Sequence, residues 1–173
     1  MGADSAFDPR SNSLRVIQEE HGNVHDGHAY IAFLTTTLTP ANLNNFSIMT
    51  GVKPIHLEWE VMSDQAMTVS ILESPTILGG SPFTAIYNKN RGSSNVTACT
   101  ILNGGTASGG TLIYNIQART VAPPTTPIVL GGGPRSLYEL ILASNTQYNY
   151  QVFNNGAATA NITIQLHWYE LGN

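Results

Sequence analysis

The sequence is poor in several residue types on which particular functions depend. It has one cysteine, Cys99, which argues against a secreted scaffold built on disulfides. It has only two lysines, Lys53 and Lys89, and its basic residues are scattered. Because binding to nucleic-acid phosphates needs a clustered basic face, we predict no nucleic-acid partner.

Long apolar runs are also missing. No stretch approaches the roughly 20 apolar residues that a membrane span requires. The first residues, Met1-Gly2-Ala3-Asp4, lack the basic start and apolar stretch of a signal peptide. We therefore expect neither a membrane partner nor an export signal.

Charge is scarce as well, at 10% of the residues with a net charge of −4, against about 25% charged residues in a typical domain. The surface must therefore be covered largely by Asn, Gln, Ser and Thr. Such a surface favours a protein docked in an assembly, because unpaired charges are costly to bury. The alternative is compositional drift in an ordinary small domain.

What is present is alternation with a period of two. Apolar and polar residues alternate over residues 54–62, 67–72, 148–152 and 161–168, and no segment shows a convincing helical period. The 173 residues suit one domain. We predict an all-β, jelly-roll-like antiparallel β-sandwich over residues 25–173, preceded by a flexible N-terminal arm, residues 1–24.

Turn residues predict how these strands connect. The link Ser63-Asp64-Gln65 predicts a hairpin, and Asn154-Asn155-Gly156-Ala157 predicts a second, in which the Asn-Gly step supplies a positive φ. Two long loops are expected, at residues 74–96 and 118–134, and loops of this length are usually functional or partner-bound. Weaker strands are predicted at residues 29–38, 45–50, 97–103, 111–117 and 136–143.

The best metal candidate is a set of closely spaced histidines, His21, His25 and His28, with Asp26 between the last two. Imidazole and carboxylate groups suit zinc or a similar ion. However, two glycines make the stretch flexible, and no second ligand cluster is evident. We favour a polar loop or a subunit contact, and predict neither a metal nor a cofactor.

Catalytic residues are equally hard to assemble. Glu58 and Glu60 share one face of a strand about 6.5–7 Å apart, a separation that resembles a glycosidase pair. Any alternating strand with two acids produces this spacing, so a solvated or inter-subunit face is favoured. Cys99 lies in an apolar stretch and is expected to be buried. We predict that the protein is not an enzyme; a cupin-like metal enzyme would need the three histidines to converge with His56 or His167.

The most distinctive segment joins basic residues to amides and hydroxyls in one loop. Such a loop suits contact with a protein partner, and the alternatives are sugar binding or a loop held by its own Asn and Ser side chains. The predicted partner contacts are Tyr87, Asn88, Lys89, Asn90, Arg91, Ser93, Ser94 and Asn95.

Several of these pieces also resemble a known group of proteins. The pieces are His25–Tyr30, Ile55–Val61, the Tyr87–Asn95 loop, Gly110–Ile113 and Leu166–Glu170. In this order and spacing the chain resembles small structural proteins of tailed bacteriophages, of the capsid decoration (cement) or head-associated type. The resemblance covers roughly residues 21–171.

The resemblance implies a virion protein on the capsid surface, made in the host cytoplasm, whose partner is the major capsid protein. It also implies a homo-oligomer, with a trimer favoured, that clamps neighbouring capsid subunits. The arm, residues 1–24, would then act as a tether, and the loops at residues 87–95 and 118–135 would make most other contacts. The alternative is a carbohydrate- or receptor-binding module of a tail or fibre, with exposed aromatics such as Tyr87, Tyr138 or Tyr169 stacking on sugars.

Overall fold

A computed structural model describes residues 19–118, 127–131 and 139–170 of the chain. These residues form one helix and fourteen strands: α1 (Glu19–His25), β1 (Ala29–Leu38), β2 (Leu43–Met49), β3 (Ile55–Ser63), β4 (Met67–Glu73), β5 (Thr76–Leu78), β6 (Ser81–Pro82), β7 (Ile86–Asn88), β8 (Thr100–Asn103), β9 (Thr106–Ser108), β10 (Thr111–Ala118), β11 (Ile128–Gly131), β12 (Glu139–Leu142), β13 (Gln147–Asn154) and β14 (Ala160–Glu170). No described helix is long and apolar enough to cross a bilayer.

Eight of the strands form two facing antiparallel sheets. The first sheet places β12, β3, β14 and β1 side by side, and the second places β10, β4, β13 and β2 side by side. Along the chain β1, β2, β3 and β4 alternate between the sheets, the insertion then returns the chain to the second sheet at β10, and β12, β13 and β14 alternate again. This wiring is that of a jelly roll, which confirms the predicted fold class.

The core lies between the two sheets and comes directly from the alternating pattern. On β3 and β14 every second side chain is buried, and the residues between them are half-buried except for the exposed Asn161. Large aromatic rings fill the centre. Trp59 meets Tyr150 edge-on, with ring centroids 6.0 Å apart, and Trp168 stacks on Tyr30 at 5.7 Å. Such pairs add about 0.5–1.5 kcal/mol each beyond the area they bury.

Both predicted hairpins are wrong. β3 lies in the first sheet and β4 in the second, so residues 63–65 carry the chain between the sheets. The same holds for β13 and β14, and Gly156 has no positive φ. The second corner is held instead by the buried Asn154. Its Nδ2 donates to the carbonyls of Leu38 (2.8 Å) and Ala158 (2.9 Å), and its Oδ1 accepts from Gly156 N (2.8 Å).

The predicted long loop at residues 74–96 is also not a plain loop. It contains β5, β6 and β7, and belongs to an insertion between β4 and β10. Within this insertion β5 pairs with β9 as a two-stranded ribbon. The chain leaves β4 near one edge of the second sheet and rejoins that sheet at β6, beside β8 on the opposite edge. It then reaches β7, which pairs with β1 of the first sheet.

One end of the ribbon packs on Glu73 at the end of β4 and the other reaches Asn45 of β2, from which we infer that it crosses the outer face of the second sheet. A group of polar side chains is buried on this face. Ser47 and Asn149 are fully buried although they point away from the core. Ser47 Oγ donates to Asn149 Oδ1 (2.7 Å), and Asn149 Nδ2 donates to Asn45 Oδ1 (2.8 Å). Asn45 Nδ2 then donates to the carbonyl of Gly105, next to β9 (3.0 Å). We call these three side chains the polar ladder.

Glycine pairs lie at the corners of this ribbon. Gly110 has φ +84°, and a Cβ there would lie 2.8 Å from the carbonyl oxygen of Glu73 and 2.9 Å from the nitrogen of Pro75. Only glycine allows the backbones to approach this closely at a positive φ. Its neighbour Gly109 also has a positive φ, +67°, but nothing lies within 4 Å of its Cβ position.

The predicted arm needs a correction at its end. Residues 19–25 are helical, whereas the flexible arm was predicted to extend to residue 24. The helix is about two turns long and is closed by backbone bonds from Asp26 N to Gly22 O (2.9 Å) and from His28 N to Asn23 O (2.8 Å). A helix this short carries too little periodicity to be read from sequence. Residues 1–18 of the arm lie outside the described residues.

The weaker strand predictions fare better. The first, residues 29–38, coincides with β1, and those at 45–50, 97–103 and 111–117 overlap β2, β8 and β10. The last overlaps β12 from residue 139 onward. Five short strands, β5, β6, β7, β9 and β11, were not expected, because each exists only through a partner supplied by a distant part of the chain. The last of them falls within the predicted loop at residues 118–134, most of which lies outside the described residues.

Candidate partner-binding surface

The distinctive loop, Tyr87–Asn95, is the tip of the insertion and packs against the segment that follows α1. Its amides bind backbone carbonyls of that segment. Asn88 Nδ2 donates to Gly27 O (2.8 Å), and Asn90 Nδ2 donates to His25 O (2.8 Å). Asn95 Nδ2 donates to Asp26 O (3.2 Å). The loop is thus fastened at three places along one neighbouring segment.

Side chains of the loop also hold its own backbone at a spacing of two residues. Asn90 N donates to Asn88 Oδ1 (2.9 Å), Gly92 N donates to Asn90 Oδ1 (3.0 Å), and Asn95 N donates to Ser93 Oγ (3.1 Å). These are the local turns that Asn and Ser favour. The self-held alternative therefore describes four of the eight predicted contact residues, which are Asn88, Asn90, Ser93 and Asn95.

The close fit against α1 depends on Gly27. Its φ is +74°, and a Cβ there would lie 2.2 Å from the hydroxyl of Ser93. The loop and the turn after α1 are therefore packed directly on each other, which leaves the loop little freedom to move.

Tyr87 and Arg91, in contrast, point outward and form a small surface with Phe33 of β1. Phe33 and Tyr87 are 46% and 41% exposed. Their rings stack with centroids 6.0 Å apart, and the guanidinium carbon of Arg91 lies 5.5 Å from the centroid of the Tyr87 ring. We call these three residues the Tyr87 patch. The sequence did not single out Phe33, because its neighbour in space is 54 residues away.

The two remaining predicted contacts, Ser94 and Lys89, belong to neither group. Ser94 is exposed. Lys89 is half-buried, its backbone N donates to Ala29 O (2.8 Å), and its side chain lines a shallow depression on the outer face of the first sheet.

That depression contains the polar residues of β3 and β14 that alternate with the core. It is lined by Ala29, His56, Glu58, Lys89, His167, Trp168 and Tyr169. Its volume of about 10 Å³ is no more than one water molecule needs, whereas small-molecule sites measure about 300–1,000 Å³. The depression is therefore a feature of the sheet surface and has no room for an organic substrate.

A compact cluster lies at one side of the depression. His56 Nδ1 is 2.5 Å from a carboxylate oxygen of Glu139 and 2.9 Å from the Tyr169 hydroxyl. The rings of His56 and Tyr169 are stacked with centroids 4.7 Å apart. The sequence had offered His56 as a metal ligand and Tyr169 as a sugar platform, but each is engaged with the other. The sequence did not single out Glu139, because only the pairing of β12 with β3 brings it beside His56.

The acidic pair Glu58 and Glu60 does share this face. Glu58 lies in register between Glu139 of β12 and His167 of β14, and Glu60 lies opposite Gln165. Burial, and then the positive charge of Lys89, lower the pKa of His167. The two glutamates therefore lie on the outer surface of the sheet, and the depression beside Glu58 is too small for a sugar ring.

Two of the candidate metal histidines, His21 and His25, lie on α1 beside the Tyr87–Asn95 loop, and His28 follows the helix, where its backbone N donates to Asn23 O (2.8 Å). The ring nitrogens Nε2 of His21 and His25 are 2.9 Å apart. Within the described part of the chain, no group of three His, Cys, Asp or Glu side chains forms a metal cluster. The convergence that a cupin-like enzyme requires is therefore not formed by these residues.

The single cysteine is buried, as expected. Cys99 is 6% exposed, and burial raises the pKa of its thiol to about 11. Since the thiolate is the nucleophilic form, this environment makes Cys99 an unreactive core residue. Tyr138, the third candidate sugar platform, lies outside the described residues.

Comparisons with known proteins find no relative of the chain by sequence. Neither a protein-family model nor a curated protein matches it. Among solved structures, T=1 particles derived from infectious bursal virus show 7% identity and a TM-score of 0.21 over 100% of this chain and 45% of that chain. A mutant VP2 protein of infectious bursal disease virus shows 8% identity and a TM-score of 0.15 over 99% of this chain and 44% of that chain.

An unassembled VP1 pentamer of KI polyomavirus shows 9% identity and a TM-score of 0.12, over 82% of this chain and 74% of that chain. The chain spans less than half the length of the first two proteins. The similarity to viral capsid proteins is therefore weak, and at these TM-scores it carries no argument about function.

Proposed function

We propose that this protein is a structural component of a tailed-bacteriophage virion, a decoration protein that binds across neighbouring capsid subunits. In this role the protein adds cohesion between subunits and catalyses no reaction. The proposal rests on the sequence resemblance and on the surface described above, and one observation carries it: the Tyr87 patch is held in place before any partner arrives.

The chemistry of the patch suits a protein interface. Tyrosine, phenylalanine and arginine are enriched in interfaces, and tyrosine and arginine are the typical energetic hot spots. Here Arg91 lies over the Tyr87 ring, and Tyr87 stacks on Phe33, so the three side chains already support one another.

The amide bonds of the loop make this surface rigid. Ordering a flexible side chain at an interface costs about 0.5–1.5 kcal/mol. Because Asn88, Asn90 and Asn95 bind the segment after α1, much of the ordering of this loop has taken place in the free protein. Partner contact and self-held loop are thus compatible: the amides hold the loop, and Tyr87 and Arg91 are free to meet a partner.

A second surface supports the predicted homo-oligomer. Among the described residues, β10 is an edge strand of eight residues without a charge or a proline. Its Leu112 and Ile113 are 54% and 40% exposed. Edge strands of this kind pair with further strands unless they are protected. We assign this edge to contacts between copies of the chain and the Tyr87 patch to the capsid.

Co-sedimentation with capsids that lack the protein tests the proposal. The wild-type chain should bind at a saturable stoichiometry that gives the copy number. A Tyr87→Ala, Arg91→Ala double variant should bind more weakly by about 2 kcal/mol or more, which is about 30-fold in Kd. The matched control is Val52→Ser, which changes an exposed side chain outside the Tyr87 patch.

Two outcomes would contradict the proposal in different ways. If the double variant binds as tightly as the wild type, the patch is not the capsid contact. If the wild-type protein does not bind capsids but binds glycans on an array, the tail or fibre module replaces the decoration role.

A further inference from the structure

Two histidines of α1 bring their ring nitrogens close together at the surface. His21 and His25 are four residues apart, which places them on the same side of the helix one turn apart. Their Nε2 atoms lie 2.9 Å from each other, and the rings meet edge to face with centroids 4.6 Å apart. Both side chains are exposed, so an ion from solution can reach them.

The separation of the two nitrogens matches one kind of coordination in particular. With a metal–nitrogen distance of about 2.05 Å, two ligands at a right angle lie about 2.9 Å apart, and two at a tetrahedral angle about 3.3 Å apart. Right angles belong to square-planar or octahedral ions, of which Cu²⁺ and Ni²⁺ are the ones that favour imidazole nitrogen. The observed distance therefore fits a cis pair on such an ion.

The backbone that carries the pair is anchored. Asn90 Nδ2 donates to the carbonyl of His25 itself (2.8 Å), and Asn95 Nδ2 donates to that of Asp26 (3.2 Å). His28 N closes the helix on Asn23 O (2.8 Å). A chelating pair on a fixed element loses less conformational entropy on binding an ion than one on a free loop.

We propose that His21 and His25 form a two-imidazole site for a divalent late first-row metal ion, Cu²⁺ or Ni²⁺. Both imidazoles bind through neutral Nε2, with the ring proton on Nδ1. No third His, Cys, Asp or Glu of the described chain joins them, so the ion keeps its other positions for water. The site is independent of the Tyr87 patch and of the capsid role.

Isothermal titration of the untagged full-length protein with Cu²⁺, and separately with Ni²⁺, tests the site. The wild type should bind one ion with a saturable signal. His21→Ala and His25→Ala should each weaken binding about 10-fold or more, since loss of a direct ligand costs at least as much as loss of a group behind it. His28→Ala is the matched control and should bind as the wild type does.

Electron paramagnetic resonance of the Cu²⁺ complex gives a second readout. The spectrum should show coupling to two ring nitrogens in the wild type and to one in either single variant. If the wild type takes up neither ion, or if both single variants bind as tightly as it does, the two rings share only an N–H···N hydrogen bond and the proposal is overturned.

Discussion

The two outer faces of this sandwich differ in how far their polar side chains are exposed to solvent. The first sheet turns His56, Glu58, Glu60 and the Tyr87 patch to the outside, where they remain half-buried or exposed. The second sheet carries the polar ladder on its outer face, and the ribbon of β5 and β9 buries it. One face thus stays at the surface, whereas the polar ladder of the other is buried within the fold.

The difference teaches how polarity should be read in this protein. Charged and aromatic side chains mark the face that stays outside, whereas uncharged Ser and Asn mark the face that is covered. A buried amide or hydroxyl is tolerated when it is hydrogen-bonded, but a buried charge is far more costly.

The largest effect on stability is expected from a substitution that displaces the ribbon from the second sheet. Gly110→Ala should lower the free energy of unfolding by about 2–4 kcal/mol, because a Cβ meets the backbone of Glu73 and Pro75 at a positive φ. Gly109→Ala is the matched control. It has the same positive φ but open space around it, so it should cost only about 1–2 kcal/mol. Urea unfolding measures both, and equal losses would show that the ribbon is not seated as described.

A second comparison sets one buried amide against one half-buried amide. Asn149→Ala should cost about 2–3 kcal/mol, since it leaves the buried hydroxyl of Ser47 without its acceptor and removes the shorter of the two bonds to Asn45 Oδ1. Gln165→Ala, on the outer face of the first sheet, should change stability by no more than about 0.5 kcal/mol. Thermal and urea unfolding of the two variants decide the point, and similar losses would mean that both outer faces are equally covered.

The smallest expected effect is a difference in pH dependence. The pKa of His167 is lowered from 6.5 by burial and by Lys89, so the unfolded chain takes up its proton more readily than the folded chain does. Its contribution to stability is therefore complete above pH 6.5 and is lost as the pH falls below that value toward the folded-state pKa.

Unfolding experiments between pH 8 and pH 5 measure this effect. His167→Gln should lose less stability on acidification than the wild type does. The loss caused by Asn149→Ala should be the same at both ends of the range, because the polar ladder contains no titratable group. If the stability of His167→Gln fell with pH as steeply as that of the wild type, the outer face of the first sheet would not be the source of the pH dependence.

Sequence reasoning reached the sandwich but not its connections. The alternation in β3 and β14 identifies both strands and their buried faces, since a period of two needs no knowledge of partners. The Asn154-Asn155-Gly156 turn was read as a hairpin because a turn signal says where a chain bends and not which sheet it enters. In the structure β3 already has β12 and β14 as neighbours, so β4 must join the other sheet.

The sequence predicted the candidate site only in part, for the same reason. The composition of residues 87–95 singled out the loop, and its Asn and Ser side chains made self-held turns predictable. Only the structure shows that the side chains of the loop have two different roles. Asn88, Asn90 and Asn95 hold the loop by bonding to the segment after α1, whereas Tyr87 and Arg91 face outward beside Phe33. The spacing of His21 and His25 was visible, but their approach to 2.9 Å needed a helix too short to predict.

By itself the sequence determined the all-β class, the apolar face of each long strand and a surface low in charge, because these follow from local alternation and composition. Only the tertiary structure decided which strands pair, which outer face the ribbon covers and which side chains surround His56 and Tyr87. These are contacts between residues far apart in the chain, and their free energy depends on every neighbour that packs around them.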